Sequence, residues 1–294
     1  MPHRVFPTPL RFSTIGIIGA GRLGSSFADA LAANKMPVSG VAGRSARCAK
    51  ASTLAKRLGI NADAAQSVAD QCDLIFIAVP DANIASVAAQ TLWRPGQAVV
   101  HMSGATRVAA LLPARQQGAH IGGFHPLKSV SQARGHAGSF QGITITLEAE
   151  YPPLMAHLST IAKRLGSNIH HLPHCSRRRY HAAANHASAL LISLLTDMRT
   201  LWASCGGSEQ EMLAALLPVM KSTLQAVETY GIERALTGPL VRCDIATLEG
   251  HILALHALDS GLAQRYAAHH VPLISQAPAE QQPALATLLR RYQH

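Results

Sequence analysis

One local feature constrains this chain more than any other: the run Gly19-Ala20-Gly21-Arg22-Leu23-Gly24, directly after the apolar stretch Thr14-Ile15-Gly16-Ile17-Ile18. Each glycine has a mechanical role in such a turn. Gly19 permits the tight exit from a strand, Gly21 lets the backbone approach a pyrophosphate, and Gly24 lets the next helix pack close to the sheet. The helix N-terminus offers unpaired N–H groups and partial positive charge to phosphates, with Ala20, Arg22 and Leu23 completing the cradle. A glycine-rich turn alone is a weak signal. Between a strand and a helix it predicts a dinucleotide site.

The surrounding pattern agrees. Apolar strand-like runs at 14–18, 38–42, 74–79, 98–102, 120–124, 143–147 and 168–172 are interleaved with amphipathic stretches such as 23–34, 46–58 and 82–92. Strand, helix, strand in this rhythm implies parallel pairing with helices on both faces, and the nearly all-apolar early strands suit burial on both sides. After Pro173 no strand pattern follows. Residues 178–205 read as one long helix stopped by Gly206-Gly207, with further helices at 209–230, 244–260 and 281–292. The expected fold is α/β: a Rossmann-type doubly wound parallel sheet over residues 1–172, then an all-helical domain over 173–294.

The second strand leads into Val41-Ala42-Gly43-Arg44-Ser45-Ala46-Arg47. An NAD site wants a carboxylate there for the ribose 2′-OH, and none is present. Gly43 leaves room, whereas Arg44, Ser45 and Arg47 can bind a 2′-phosphate that a carboxylate would repel. NADP is therefore the expected cofactor. The carboxyl ends of two later strands should line the same crevice: Val79 and Pro80 packing on the cofactor, and Ser103-Gly104 admitting its nicotinamide end.

Two clusters can supply proton chemistry beside a nicotinamide. In Phe124-His125-Pro126-Leu127-Lys128, His125 can donate a proton or bond a carbonyl, and Lys128 can neutralise an acidic substrate. It is equally consistent for His125 simply to fix a turn. In Arg177-Arg178-Arg179-Tyr180-His181-Ala182-Ala183-Ala184-Asn185, the spacing puts Arg178, His181, Asn185 and Ser188 on one helix face. His181 is the leading general acid, with Asn185 orienting the substrate; the alternative is a hydrated helix end. His170-His171-Leu172-Pro173-His174-Cys175 looks metal-like, but adjacent strand residues point opposite ways and no second cluster has zinc spacing, so no metal is expected. Thr237-Gly238-Pro239 reads as a turn before a helix that can bring Arg242 to an acidic substrate or a second subunit.

Composition removes other classes. Hydrophobic residues are 48% and charged ones 14% of 294, which excludes a disordered chain. Five scattered cysteines without a CxxC pair argue against a disulfide framework and for a reducing cytoplasm. No apolar run is long enough to span a bilayer, and the proline-containing first residues do not suit a signal peptide. The net charge is +10, of which residues 1–150 carry +7. With only 4% aromatics and no basic stripe, a small phosphorylated ligand fits this asymmetry better than nucleic acid.

Taken together, the Gly19–Gly24 loop, Gly43-Arg44-Ser45, Phe124-His125-Pro126-Leu127, Tyr180-His181-Ala182-Ala183-Ala184 and Thr237-Gly238-Pro239 resemble a bacterial family that joins a Rossmann domain to a C-terminal helical domain of unknown function. That helical domain is similar to those of ketopantoate reductase and 6-phosphogluconate dehydrogenase relatives, which are NADP-dependent reductases. In such relatives a lysine followed four residues later by asparagine often serves the active site. The comparable spacing here is His181 to Asn185, so the lysine's role passes to His181 or Lys128. The resemblance implies an oxidoreductase and does not identify a substrate. The sequence as a whole is read as a cytoplasmic NADP(H)-dependent oxidoreductase acting on a small acidic substrate, a ketopantoate-like 2-oxo acid first. Alternatives are a pyrroline-carboxylate-type imine reductase and a non-catalytic NADP(H) sensor. The many Leu and Ala positions of the helical part suggest a homodimer.

Overall fold

Short apolar strands alternate with helices through the first half of the chain. In order they are β1 (Ile15–Ile18), α1 (Arg22–Ala33), β2 (Val38–Ala42), α2 (Ala49–Leu58), β3 (Ala62–Asp63), α3 (Ala65–Gln71), β4 (Leu74–Ile77), α4 (Asp81–Gln90) and β5 (Ala98–His101). A 3-10 turn (Val108–Leu111) and α5 (Leu112–Gln116) lead to β6 (His120–Leu127), β7 (Thr144–Ala149), α6 (Pro152–Arg164), β8 (Asn168–His171) and α7 (Arg177–Asn185). The computed structural model describes residues 12–45, 48–128, 140–172 and 177–292.

The eight strands form one sheet in the order β3-β2-β1-β4-β5-β6-β7-β8. β1, β4 and β5, buried at every position, lie at its centre, as strands covered on both faces must. Pairing is parallel from β3 through to β6. β7 then runs antiparallel to β6, and β8 parallel to β7, so the doubly wound sheet is parallel, as expected, but for this one pairing. A parallel neighbour needs a crossover, usually a helix, and the sequence between Leu127 and Thr144 has no amphipathic helix pattern.

Two apolar layers hold the sheet. On one face α1, α2 and α6 cover a core in which Phe27 packs on Phe76, Phe124 and Phe140 at ring distances of 4.8, 5.3 and 5.6 Å. Each such buried ring contributes about 1.5–3 kcal/mol relative to exposure. On the other face α3, α4 and α5 cover Ile18, Ile75, Ile77, Val99 and Ile121. Here Gly16 lets α3 approach β1, since a side chain at Gly16 would strike Val68 Cγ1 at 2.6 Å. Over β6 and β7 the same face is covered by α7, whose Arg177 and Tyr180 meet Glu148, His125 and Thr146.

The chain divides into two compact units, Met1–Ser188 and Ala189–His294. α7 therefore stays with the sheet, downstream of the 172/173 boundary expected from the sequence. The single helix predicted for 178–205 is also interrupted: α7 gives way to a π-helical stretch, His186–Leu190, before α8 (Leu191–Ser204). Ser188 Oγ donates to the carbonyls of Ala184 and Asn185 at 3.1 and 3.4 Å, the kind of side-chain competition that widens or bends a helix.

The second unit continues with α9 (Glu209–Tyr230), α10 (Ile232–Ala235), α11 (Ile245–Leu258), α12 (Ser260–His270) and α13 (Gln282–Arg291). Its core is built by α11, α12 and α13 around Leu248, Ile252, Ala263, Leu285 and Leu289. α8 and α9 are different. The two helices together bury only Met212, and leave Leu191, Ile192, Val219 and Leu224 exposed.

Candidate active site

The glycine turn is shaped by its neighbours. Gly19 has φ +118° and donates its N–H to the Ala42 carbonyl at 2.8 Å, tying the turn to β2. A side chain on Gly19 would run into the Ala78 carbonyl, and one on Gly24 into the carbonyl of Gly19. Gly21 is another case: a Cβ there would meet nothing within 4 Å. The fold itself thus requires glycine at 19 and 24, whereas Gly21 borders open space. Gly21 is also the N-cap of α1, with no side chain capping the helix and no acidic residue in the first turn. The first-turn N–H groups keep their capacity to donate toward that space, so Gly19–Gly24 fit a pyrophosphate.

Beyond β2, Gly43 packs against the Cys48 side chain, while Arg44 and Ser45 are exposed. Arg47 lies outside the described residues. β3 sets Asp63 in register with Ala42, a carboxylate that the sequence reading overlooked because its strand has only two residues. Val79 is half-buried and Pro80 exposed where β4 enters α4.

The second part of the site lies at the carboxyl ends of β5 and β6. His125, Thr146 and His170 stand side by side in register on β6, β7 and β8. Tyr180 of α7 covers this row. Its phenol oxygen accepts from Thr146 Oγ1 at 2.7 Å and lies 2.7 Å from His125 Nδ1, with its ring nearly parallel to that of His170. With Thr146 donating, the phenol proton goes to His125 Nδ1, which leaves the imidazole proton on Nε2. Burial, reinforced by the charges of His181 and Arg177, pushes His125 down to about 4, so the ring is neutral at pH 7. Burial pushes the Tyr180 phenol up, and it keeps its proton.

His125 Nε2 and His181 Nδ1 converge on Gly104. A Cβ built on Gly104 would lie 2.6 and 2.8 Å from them, so only glycine fits beneath the two rings. Ser103 caps its own turn, its Oγ accepting from the N–H groups of Ala105 and Thr106 at 3.1 and 2.9 Å. Arg177 fixes the arrangement from below. Its Nη2 donates to Glu148 Oε2 at 2.6 Å and its Nη1 to the Ser103 carbonyl at 2.7 Å, and its side chain is 4% exposed. Removing one partner of so buried a pair strands the other charge and costs about 3–5 kcal/mol. Buried His101, on the adjacent strand, is pushed down to about 3, chiefly by burial and then by Arg177.

The residues expected to act together are placed differently from one another. Of the polar stripe at Arg178, His181, Asn185 and Ser188, Ser188 is half-buried and the other three are exposed, while Arg177, Tyr180 and Ala184 are the more buried positions of α7. His181, itself exposed, reaches Gly104 from the edge of that face. Lys128 does not join His125, because its ammonium sits 5.0 Å from the ring of Phe140 in the core on the opposite side of the sheet. Of the His170–Cys175 run, His170 stacks beside Tyr180, whereas Pro173–Ser176 lie outside the described residues. Tyr180, Thr146, His101 and the Arg177–Glu148 pair carry no roles in the sequence reading. A signal for two of them existed: Thr146 and His101 are polar residues within otherwise apolar strands. Among the described residues no helix is long and apolar enough to cross a membrane.

Comparison with known proteins agrees with this fold. Residues 8–126 match the Rossmann-like domain family, and residues 143–270 match DUF2520, a domain of unknown function. No curated protein matches the sequence. A candidate NADP oxidoreductase from Bacteroides fragilis is 22% identical, with 89% of this chain and 97% of that one covered and a TM-score of 0.73. A reductive aminase from Aspergillus terreus, in complex with NADPH and ethyl levulinate, is 19% identical over 96% of this chain and 93% of its own, with a TM-score of 0.63. A 1-pyrroline-5-carboxylate reductase from Streptococcus pyogenes is 14% identical over 95% and 98%, with a TM-score of 0.60. At these identities the likeness is one of fold. The chain thus joins a match to the Rossmann-like domain family with a match to the DUF2520 domain of unknown function, in that order along the sequence.

Proposed function

We propose that this protein is an NADP(H)-dependent reductase of a small 2-oxo acid. One observation carries the reading: the neutral, tautomer-fixed His125 and the exposed His181 meet over Gly104 at the same sheet edge as the open glycine turn. Ligands of parallel α/β sheets lie along that edge. Gly19, Ala20, Gly21, Arg22, Leu23 and Gly24 would hold the pyrophosphate, and Arg44, Ser45 and Arg47 the 2′-phosphate. When bound, the reduced nicotinamide supplies hydride.

The chain's own residues do the rest. His125 Nε2–H donates a hydrogen bond to the substrate carbonyl oxygen, polarising it without being able to lose that proton cheaply. His181 gives the proton that turns the developing alkoxide into a hydroxyl, and exposure lets water reprotonate it. Tyr180 and Thr146 hold His125 in the donating tautomer. Asn185, one helical turn beyond His181, orients the substrate. The homodimer expected for the second unit is supported by the apolar positions of α8 and α9 that remain uncovered in the single chain.

A second reading, reduction of a cyclic or linear imine acid, is favoured by the pyrroline-carboxylate reductase and reductive aminase among the structural neighbours. The deciding experiment has two steps. NADPH and NADH are titrated while nicotinamide fluorescence is followed, and NADPH consumption is then measured with ketopantoate, other short 2-oxo acids and 1-pyrroline-5-carboxylate. Turnover of oxo acids that is lost in His181→Ala supports the first reading. Turnover of imines alone replaces it with the second. Tight NADPH binding with no turnover indicates a sensor, and binding of neither nucleotide removes the enzyme reading.

A further inference from the structure

The turn that follows β5 leaves one backbone donor unanswered. Met102 donates its N–H to the Ile77 carbonyl at 3.1 Å and Ser103 to His101 Nδ1 at 3.2 Å, while Ala105 and Thr106 both donate to Ser103 Oγ. Gly104, buried in their midst, is the exception: its N–H has no acceptor among the described residues. Buried backbone donors are nearly always paired, so a missing acceptor on a cofactor-lining turn points to a bound group.

Two observations fix where this donor aims. The Ser103–Gly104 peptide is trans, so the Gly104 N–H runs opposite to the Ser103 carbonyl. Arg177 Nη1 holds that carbonyl at 2.7 Å from the β6 side, where a Cβ built on Gly123 would lie 2.9 Å from Arg177 Nη2. The N–H is therefore directed away from β6. Strand alternation agrees: Met102, two residues earlier, donates to β4, but β4 ends at Ile77 and the chain leaves through Val79 and Pro80 into α4. The donor faces the gap between the ends of β4 and β5, while His125 and His181 close the side-chain side of the same glycine.

Chemistry selects the acceptor. Glu148 neutralises Arg177, so a lone uncharged N–H suits a neutral carbonyl oxygen better than a phosphate. β5 also stands two strand spacings, about 10 Å, from β1 and its glycine turn, a gap that a ribose and its ring bridge from a pyrophosphate held there.

We propose that the Gly104 N–H donates to the carboxamide oxygen of the nicotinamide, with Arg177 as the positioning residue that aims it. The inference rests on the NADP(H) reading given above. Turning the ring over about its glycosidic bond would break this contact, so the contact sets which ring face meets the substrate.

The test follows the assigned Gly104 amide of the full-length protein by 15N NMR while NADPH, its thionicotinamide analogue and 2′-phospho-ADP-ribose, which lacks the ring, are titrated. With NADPH the amide proton is expected to move downfield saturably. The thio analogue keeps the ring but offers sulfur, a weaker acceptor, and should give a smaller shift. The ringless ligand should shift the glycine turn and leave Gly104 in place. Replacing Arg177 and Glu148 together by Met strands neither charge and frees the Ser103 carbonyl. NADPH affinity should then fall about three- to tenfold, the worth of one hydrogen bond, with affinity for 2′-phospho-ADP-ribose unchanged. Equal losses for both ligands, or none, would overturn the role of Arg177. A Gly104 amide that stays in place while NADPH shifts the glycine turn, that shifts equally with the thio analogue, or that moves only when a 2-oxo acid is added would overturn the contact and leave the cofactor reading standing. No shift anywhere with NADPH would remove the cofactor reading and this inference with it.

Discussion

Tyr180→Phe removes a single oxygen from the centre of the candidate site. Two hydrogen bonds of 2.7 Å go with it, one from Thr146 and one to His125 Nδ1. The Phe ring keeps the packing against His170, so the loss is almost purely polar. Thr146 is 1% exposed, and its hydroxyl is left without that acceptor, while His125 Nδ1 loses its donor. Stranding a buried polar group costs about 1–3 kcal/mol. Because Tyr180 and His125 are only part-buried, the total is expected in the lower half of the two-group range, about 2–4 kcal/mol. For a folded unit of this size each kcal/mol shifts Tm by about 2–4 °C, so a fall on the order of 10 °C is expected in a thermal scan. Histidine 15N NMR reads the second consequence, a mixture of His125 tautomers where the parent has Nε2–H alone. Thr146→Val serves as the partner variant. In the double variant the stranded hydroxyl is absent, so the combined loss should be smaller than the sum of the two single losses by about 1 kcal/mol. A Tyr180→Phe protein within about 0.5 kcal/mol of the parent, its His125 tautomer unchanged, would refute the relay.

Three further outcomes are expected. Gly21→Val should leave the Tm of the free protein almost unchanged, because its side chain enters open space, yet abolish the thermal stabilisation by NADPH that the parent gains; a large drop in the free protein would show a role in the fold instead. Stability should fall with acidification. His125 at about 4 and His101 at about 3 are depressed below the ordinary 6.5, so the unfolded chain binds protons that the folded one refuses. The stability they permit is complete above about pH 7 and is lost as pH falls through 6.5 toward 4, the pair alone taking up close to two protons on unfolding near pH 5. A urea midpoint that stayed flat from pH 7.5 to 5 would contradict both assignments. Sedimentation should find a dimer, and Ile192→Glu with Leu224→Glu should yield monomers with NADPH binding intact; a monomeric parent would leave the exposed faces of α8 and α9 unexplained.

How much of this was legible in the sequence depends on the range of the interaction concerned. The glycine turn was readable because its strand, the positive φ at Gly19 and the helix that must pass close follow one another in the chain, even though Ala42 and Ala78 close around Gly19 from elsewhere. β2, with its bounds Val38–Ala42, and α9, Glu209–Tyr230, were readable for the same reason, one from its apolar run and the other from its ends. The Ser208–Glu211 capping box and Gly231 mark those ends. The reversal of β7 left no mark within the strand itself, whose residue pattern is the same in either direction; its one sign in the sequence is the lack of a helix pattern between Leu127 and Thr144.

The candidate site illustrates the limit more sharply. Periodicity identified a helix near residue 180 and gave it a functional face, but successive helical residues are separated by about 100°, so a one-residue error exchanges Arg177 and Tyr180 for Arg178 and His181. What decides between the two faces is the ion pair from Arg177 to Glu148, a contact across 29 positions that no local pattern encodes. Once that pair is fixed, the rest follows from helix geometry: Tyr180 lands one turn on, over the His125–Thr146 row, and His181 is carried to the edge above Gly104. The proposed cofactor cradle is therefore mainly a property of one strand, turn and helix that follow one another in the chain, and the proposed proton machinery a property of one buried arginine that ties α7 to Ser103 and Glu148.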